Sequence, residues 1–487
     1  VGETPRQLSV GQEAFWFLYQ LAPESPAYNV MAAVRIHTPL DLPRLRRALA
    51  ATVRRHDLLR SVFVERDGAP CRLVGAPDTI ELLVRDAPGA SGYRLPALVR
   101  ELGLAPFRLS EGTFRAVLIR CGPADAVLLL AAHHIATDAT SQWLLMHDLL
   151  DAYAAGAPGE AGPGGAGPGG AGPEPWPPLV RDYDDYVAAE RELLAGPRGA
   201  ELERYWLDVC TGARAAELPT DRPRPAHPSF AGATCELRLP DELLPRLRCA
   251  AAVAGVTPFA YLLGSFQALL YHYTRQPESL IGCPTATRFG RNLRPLVGYL
   301  VNTLVLRGSF SRATTFATAV QAAQRQVLGG LSHAGYQHAL LARALGLPRA
   351  GAGSALLRIV FTMVATDRLD PLLHLLADGA ERGTGVEYAG LRLALFDVPQ
   401  LEGQFDLSVE MRQSPNSLTA VFRYSTELFD RATVERLLEH YARFLDAAID
   451  NPAGRVTAVP LVDDAALAEL LALGQGAPRS GRQTAPI

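Results

Sequence analysis

Apolar positions along this chain switch repeatedly between helical and strand spacing. Ser9 and Gln12 form a capping-box pair ahead of the apolar AFWFLYQL. Leu42, Leu45, Leu49 and Val53 fall on one helical face that Asp41 can cap. SVFVERDGAPCRLV reads as a hairpin turning at Asp67-Gly68. AVLLLAA, Ala126 to Ala132, is a continuous apolar run and predicts a central buried strand. SQWLLMHDLLDAYAA follows as an amphipathic helix, with Thr140 or Ser141 as its N-cap. Farther on, Thr257-Pro258 supplies an N-cap and first-turn proline for FAYLLGSFQALLYHY. RIVFTMV, FDLSVEM and LTAVFRYS read as strands, and Asp430 can cap a closing helix carrying Leu437, Tyr441 and Phe444.

Between the two halves lies AAGAPGEAGPGGAGPGGAGPEPWPP, Ala154 to Pro178. Dominated by Gly, Pro and Ala, it cannot bury enough apolar surface to offset its ordering entropy and reads as a linker. The expected organisation is α/β, with an N-terminal lobe over 1–177 that ends in the Gly/Pro-rich linker 156–178. A C-terminal lobe follows over 178–465, then a polar tail over 466–487 leading to a further domain. Each lobe is expected to carry its own sheet. The missing initial Met and the polar end read as a piece of a longer polypeptide.

Composition removes several function classes. At 487 residues, 48% of them apolar, the chain can bury more than one core. Its 47 basic residues, all Arg, are scattered among 50 acids for a net charge of −3, without the basic stripe of a nucleic-acid binder. The all-Arg usage reads as codon bias. Six cysteines stand far apart without a CxxC pair, which fits a reducing cytoplasm rather than disulfides or zinc. Apolar runs fall well short of the roughly 20 residues that span a bilayer, so no membrane is expected.

The chemistry concentrates in AAHHIATDAT, Ala131 to Thr140. Its histidines fall at a strand-to-loop junction, where a rigid sheet can present a side chain to a cavity. Neighbouring strand side chains point to opposite faces, so His133 and His134 are not expected to hold a metal together, and no metal-spaced cluster compensates. An imidazole there can serve as a general base, with Asp138 either orienting the ring or pairing with an Arg to brace the loop. A bare HHxxxD equally suits two satisfied core histidines. With no GxSxG elbow or reactive cysteine, direct transfer to a bound nucleophile is favoured over a covalent acyl-enzyme.

Eight elements in order resemble the condensation domains of nonribosomal peptide synthetases, from about Leu8 to Asn451. They are LSVGQEAFWFLYQLAPESPAYNV, RHDLLRSVF, HHIATDA, RDYDDYVAAERELL with the following ELPTDRPRPAHPSFAGA, GCPTATR, VGYLVNTLVLR, GQFDLSVEM and YSTELFDRATVERL. The resemblance implies two chloramphenicol acetyltransferase-like lobes forming a V-shaped pseudo-dimer around a central tunnel. It implies an acyltransferase that joins an acyl or peptidyl thioester on an upstream carrier protein to an aminoacyl acceptor on a downstream one. Both substrates would ride on 4'-phosphopantetheine, the domain itself binding no cofactor and no metal. An adenylation domain would be adjacent, and the excised domain monomeric. In the catalytic group His134, His133 and Asp138, the resemblance places His134 nearest the chemistry and makes His133 a brace. Asp138 would pair with Arg288 in a structural salt bridge, and Ala139, Ser141, Asn302 and Thr303 would border the tunnel. Arg60 and His56 would support the first lobe.

The chain departs from the family pattern at three places, one being a Gly/Pro insertion at 156–178 longer than most family connections. Ala139 stands where HHxxxDG has glycine, and Gln337 and His338 replace Pro and Phe in YQHALLARAL. Glycine at 139 would permit dihedrals or close approach that alanine restricts. An altered, docking-only module therefore stands as an alternative, beside ester-forming and epimerization relatives. The opening motif resembles members placed after polyketide modules, which suggests a polyketide-derived donor.

Overall fold

The structure, a computed structural model, describes residues 4–76, 80–90, 92–156, 175–225, 229–347, 356–365, 372, 385–396, 405–461, 468 and 471. Most of the Gly/Pro-rich linker and the polar tail lie outside them.

The first half builds α1 (Val10–Leu21), β1 (Asn29–Ile36), α2 (Leu42–Arg55), the hairpin β2 (Ser61–Arg66) and β3 (Ala69–Val74), and β4 (Leu82–Asp86). It continues through α3 (Arg94–Leu104), β5 (Phe114–Gly122), β6 (Asp125–His133) and α4 (Ala139–Ala155). Local chemistry starts α1 and α2 as expected. Ser9 and Gln12 close a reciprocal capping box on α1, and Asp41 accepts from Arg44 N at α2. Asp67 and Gly68 both take positive φ at the β2–β3 turn, as a two-residue hairpin loop requires. His56 Nε2 meets Asp148 at 2.6 Å, tying the end of α2 to α4, and Arg60 donates to Gly75 O, so both support the lobe.

The second half adds α5 (Tyr183–Ala195), α6 (Pro197–Cys210), β7 (Arg214–Ala215), β8 (Gly232–Arg238), α7 (Leu243–Ala254), α8 (Pro258–Thr274), β9 (Glu278–Ala286) and β10 (Val301–Ser309). Then follow α9 (Phe316–Ser332), α10 (His338–Ala344), β11 (Ile359–Ala365), β12 (Val386–Tyr388), β13 (Leu391–Leu395), β14 (Leu407–Gln413), β15 (Leu418–Ser425) and α11 (Arg431–Asp450). Thr257 caps α8 as expected. Asp430 occupies the N-cap position of α11 without capping it; its carboxylate pairs with Arg222 instead.

Two large sheets result. The first has the order β12-β13-β1-β6-β5-β4, with β6 central and almost wholly buried. The second runs β10-β9-β11-β14-β15-β8, with β7 pairing beside β9. One expectation needs correcting. β12 and β13, placed in the second lobe by the division at 177/178, complete the first sheet: Val34, Arg35 and Ile36 of β1 pair with Leu395, Ala394 and Leu393. An unpaired β1 edge would expose a row of backbone donors and acceptors, and a strand from the distant half of the chain covers it.

The halves also share a core. Leu8, Leu58, Phe63, Ala131 and Ile135 pack with Tyr183, Tyr186, Val187, Leu296 and Leu300. Such shared burial, at about 1.5–3 kcal/mol for a fully buried large apolar side chain, ties the end of β6 to both halves. Among the described residues no single helix is long and apolar enough to cross a membrane.

Candidate active site

β6 ends at His133, and a tight turn carries the chain through His134 to α4. The turn is built from backbone bonds that the two histidines complete differently. His134 N donates to Tyr28 O at 2.8 Å, and Ala136 N donates to His133 O at 3.0 Å. The Ile135 N–H then donates to His133 Nδ1 at 3.1 Å, so that nitrogen carries no proton. His133 is buried among Phe15, Tyr19 and Tyr28, and burial, with its neighbour's charge, pushes its pKa down to about 3. It is a neutral brace.

His134 is the opposite case. Its Nδ1 lies 2.7 Å from Thr137 O. A carbonyl oxygen can only accept, so Nδ1 holds the proton and the Nε2 lone pair is left for other work. The ring is half-buried, stacked on Phe15 at 5.2 Å and met edge-on by Tyr299 at 5.4 Å. Burial lowers its pKa, while the Thr137 carbonyl and the Asp138 charge act in the other direction. A neutral imidazole with a free Nε2 can accept a proton near neutral pH.

Asp138 is fully buried and shapes the loop rather than the ring. Its Oδ1 accepts from Ser141 N at 2.7 Å and from Arg288 Nη2 at 2.8 Å, and its Oδ2 accepts from Leu300 N at 3.0 Å. It is therefore the N-cap of α4, correcting the expectation of Thr140 or Ser141, and its charge complements the positive end of the helix. The partner that orients the His134 ring is Thr137 O, while the Asp138 carboxylate is held by Ser141, Arg288 and Leu300. Arg288, with a side chain only 6% exposed, pairs with it as expected. Its Nε and Nη1 are buried and find no partner among the described residues.

Ser141, expected at the tunnel, is instead a saturated junction. Its hydroxyl donates to Gly298 O at 2.9 Å and accepts from Gly298 N at 3.0 Å and Arg288 Nη2 at 2.6 Å. A hydroxyl has one proton and two lone pairs, so nothing remains for a substrate. Asn302 is likewise committed. Its amide nitrogen donates to Ala334 O and Tyr336 O, both at 2.8 Å, and its oxygen accepts from Thr303 N and His338 N. It pins the 334–338 segment to β10. Thr303 is half-buried on β10 opposite Pro284. Ala139 is exposed at the first turn of α4, in a helix and outside the positive-φ residues, so alanine replaces glycine there without backbone strain.

Several site residues escaped the sequence reading. Phe15 looked like one more apolar position of α1, and Tyr299 like a strand residue of VGYLVNTLVLR. Glu190 is buried and accepts from Val10 N at 2.8 Å, Gln337 Nε2 at 3.2 Å and Tyr186 OH at 3.4 Å. Burial raises its pKa. Gln337, which stands where the family pattern has proline, is thus a donor in a link joining α1, α5 and the start of α10. Gly298 is required because a Cβ there would overlap the Tyr183 ring.

Two cavities lie elsewhere in the second half. One of about 180 Å³ is lined by Leu218, Tyr273, Phe429 and Arg436 among others. Another of about 210 Å³ is lined by Phe259, Cys283, Thr285, Leu304 and Met363 among others. His134 borders neither. All six cysteines are free thiols.

With this geometry the similarities to known proteins can be placed. The condensation domain family matches residues 3–471. The chain is 32% identical over 470 residues to a linear gramicidin synthase of Brevibacillus parabrevis. That alignment covers 94% of this chain but only 9% of the relative's length. Among solved structures, the X-domain from teicoplanin biosynthesis, seen in complex with OxyB, superposes with a TM-score of 0.81 at 23% identity, covering 95% of this chain and 97% of that one. The first condensation domain of the calcium-dependent antibiotic synthetase, in complex with a substrate analogue, gives 0.73 at 24% identity over 95% and 100%. At these identities both show the fold, the two-lobed α/β arrangement of chloramphenicol acetyltransferase type. Since the family match runs through both sheets and the His134 loop that the second half braces, this chain belongs to the condensation domain family.

Proposed function

We propose that this domain forms an amide bond between an acyl or peptidyl thioester on an upstream carrier protein and an aminoacyl group on a downstream carrier, within a nonribosomal peptide synthetase. The observation that carries this reading is the tautomer of His134: Nδ1 is tied to Thr137 O, and Nε2 keeps its lone pair. The acceptor amine attacks the thioester carbon, forming C–N while the carbonyl pair moves to oxygen. His134 Nε2 holds the proton the amine loses. Collapse restores the carbonyl and breaks C–S, and the departing thiolate takes that proton. No acyl-enzyme is needed, in keeping with the six thiols, five of them buried.

His133 and Asp138 serve this chemistry by holding the loop, and Arg288 and Ser141 anchor it to the second half. Thr303 remains a candidate for the tunnel wall. The substrates would arrive on phosphopantetheine arms, with an adenylation domain loading the acceptor carrier, in the cytoplasm. The test is to load donor and acceptor carriers, add the domain, and follow the acceptor carrier by intact-protein mass. A mass increase equal to the donor acyl group supports condensation. Carrier binding without any mass increase identifies a docking module instead.

A further inference from the structure

Tyr299 shares the aromatic wall of the site, its ring 5.4 Å from His134 and 4.9 Å from Phe15, edge to face with both. The motif loop and α5 hold its backbone on every side. Ser141 bonds both polar groups of Gly298, Asp138 accepts from Leu300 N, and Tyr183 OH donates to Tyr299 O at 3.0 Å. Below the ring lies Gly11, where a Cβ would overlap it. Phenylalanine would fill this place as well, yet the residue carries a hydroxyl.

Among the described residues that hydroxyl has no hydrogen-bond partner, and the residue is half-buried. Two tyrosines of the shared core behave differently: Tyr183 and Tyr186 each donate to the protein. The Tyr28 hydroxyl likewise has no partner among the described residues, but its ring faces His133 rather than His134. Burial raises the Tyr299 pKa well above the ordinary tyrosine value, so the group stays protonated and acts as a donor.

We propose that Tyr299 donates its O–H to the thioester carbonyl oxygen as that oxygen becomes an oxyanion. This rests on the condensation reading above. The bond strengthens as negative charge develops and transfers no proton; the amine's proton goes to His134 and then to the leaving thiolate. A donor fixed before the reaction lowers the barrier without reorganising.

The test uses the full chain with loaded carriers, comparing wild type, Tyr299→Phe and Tyr299→Leu in single-turnover rate and in KM for the donor carrier. Both variants should be slower by on the order of 10²-fold, with KM changed by less than about twofold. The Phe variant should keep the wild-type melting midpoint. A Phe variant at wild-type rate, with or without a slow Leu variant, leaves only a packing role and overturns the proposal. A wild type that yields no product overturns the condensation reading, and this one with it.

Discussion

Two adjacent imidazoles acquire opposite tautomers because the turn after β6 offers each a different backbone partner, an N–H to His133 and a carbonyl to His134. The pair itself is conspicuous in the sequence, and alternation along a strand separates their faces. Which ring nitrogen is free depends on the turn's dihedrals, which no residue type announces. His134→Ala should reduce condensation by roughly 10²–10⁴-fold while leaving the fold intact, read by product mass and by circular dichroism. The acid limb of the rate profile should fall below the ordinary histidine value of about 6.5, because the His134 pKa is lowered and only the neutral ring accepts a proton. His133 bears on stability instead. The unfolded chain protonates it below about pH 6.5, whereas the folded chain resists until about pH 3. Its contribution is therefore complete above pH 6.5 and is lost as pH falls toward 3. His133→Asn, whose amide oxygen can still accept from Ile135 N, should make the melting midpoint fall less steeply between pH 7 and 4.

At the scale of elements, the site is an N-cap used twice. Asp138 starts α4 and also accepts from Arg288 and from Leu300 N, so one carboxylate holds a helix, a loop and the segment entering β10. The partnership of Asp138 with Arg288 followed from the resemblance, but the helix start did not, since Thr140 and Ser141 are equally good caps by residue type. Removing the cation leaves Asp138 charged, buried and underpartnered. Arg288→Ala should cost about 3–5 kcal/mol, measured by denaturant unfolding. Ala139→Gly should behave quietly. The residue is exposed and helical, so glycine should cost at most about 0.5–1 kcal/mol and leave turnover with loaded carriers unchanged.

For the whole molecule, the division into lobes is cleaner in the sequence than in space. β12 and β13 reach back to cover the edge of β1, and Val297, Leu391 and Leu393 belong to the first lobe's core. A fragment of residues 1–177 expressed alone should consequently expose the β1 edge and aggregate, whereas the full chain stays dispersed; size-exclusion chromatography distinguishes the two. The starts of α1, α2 and α8, the Asp67-Gly68 hairpin, the buried β6 and the order of motifs were legible from residues, because capping, turn geometry and hydrophobic period act over a few positions. Tertiary structure alone decided that Ser141 and Asn302 are consumed by the scaffold, that Phe15 and Tyr299 enclose His134, and that a distant strand completes the first sheet. Those outcomes depend on which atoms meet between elements that are separate along the chain. A serine or asparagine looks the same in sequence whether its hydrogen bonds face a substrate or a neighbouring backbone.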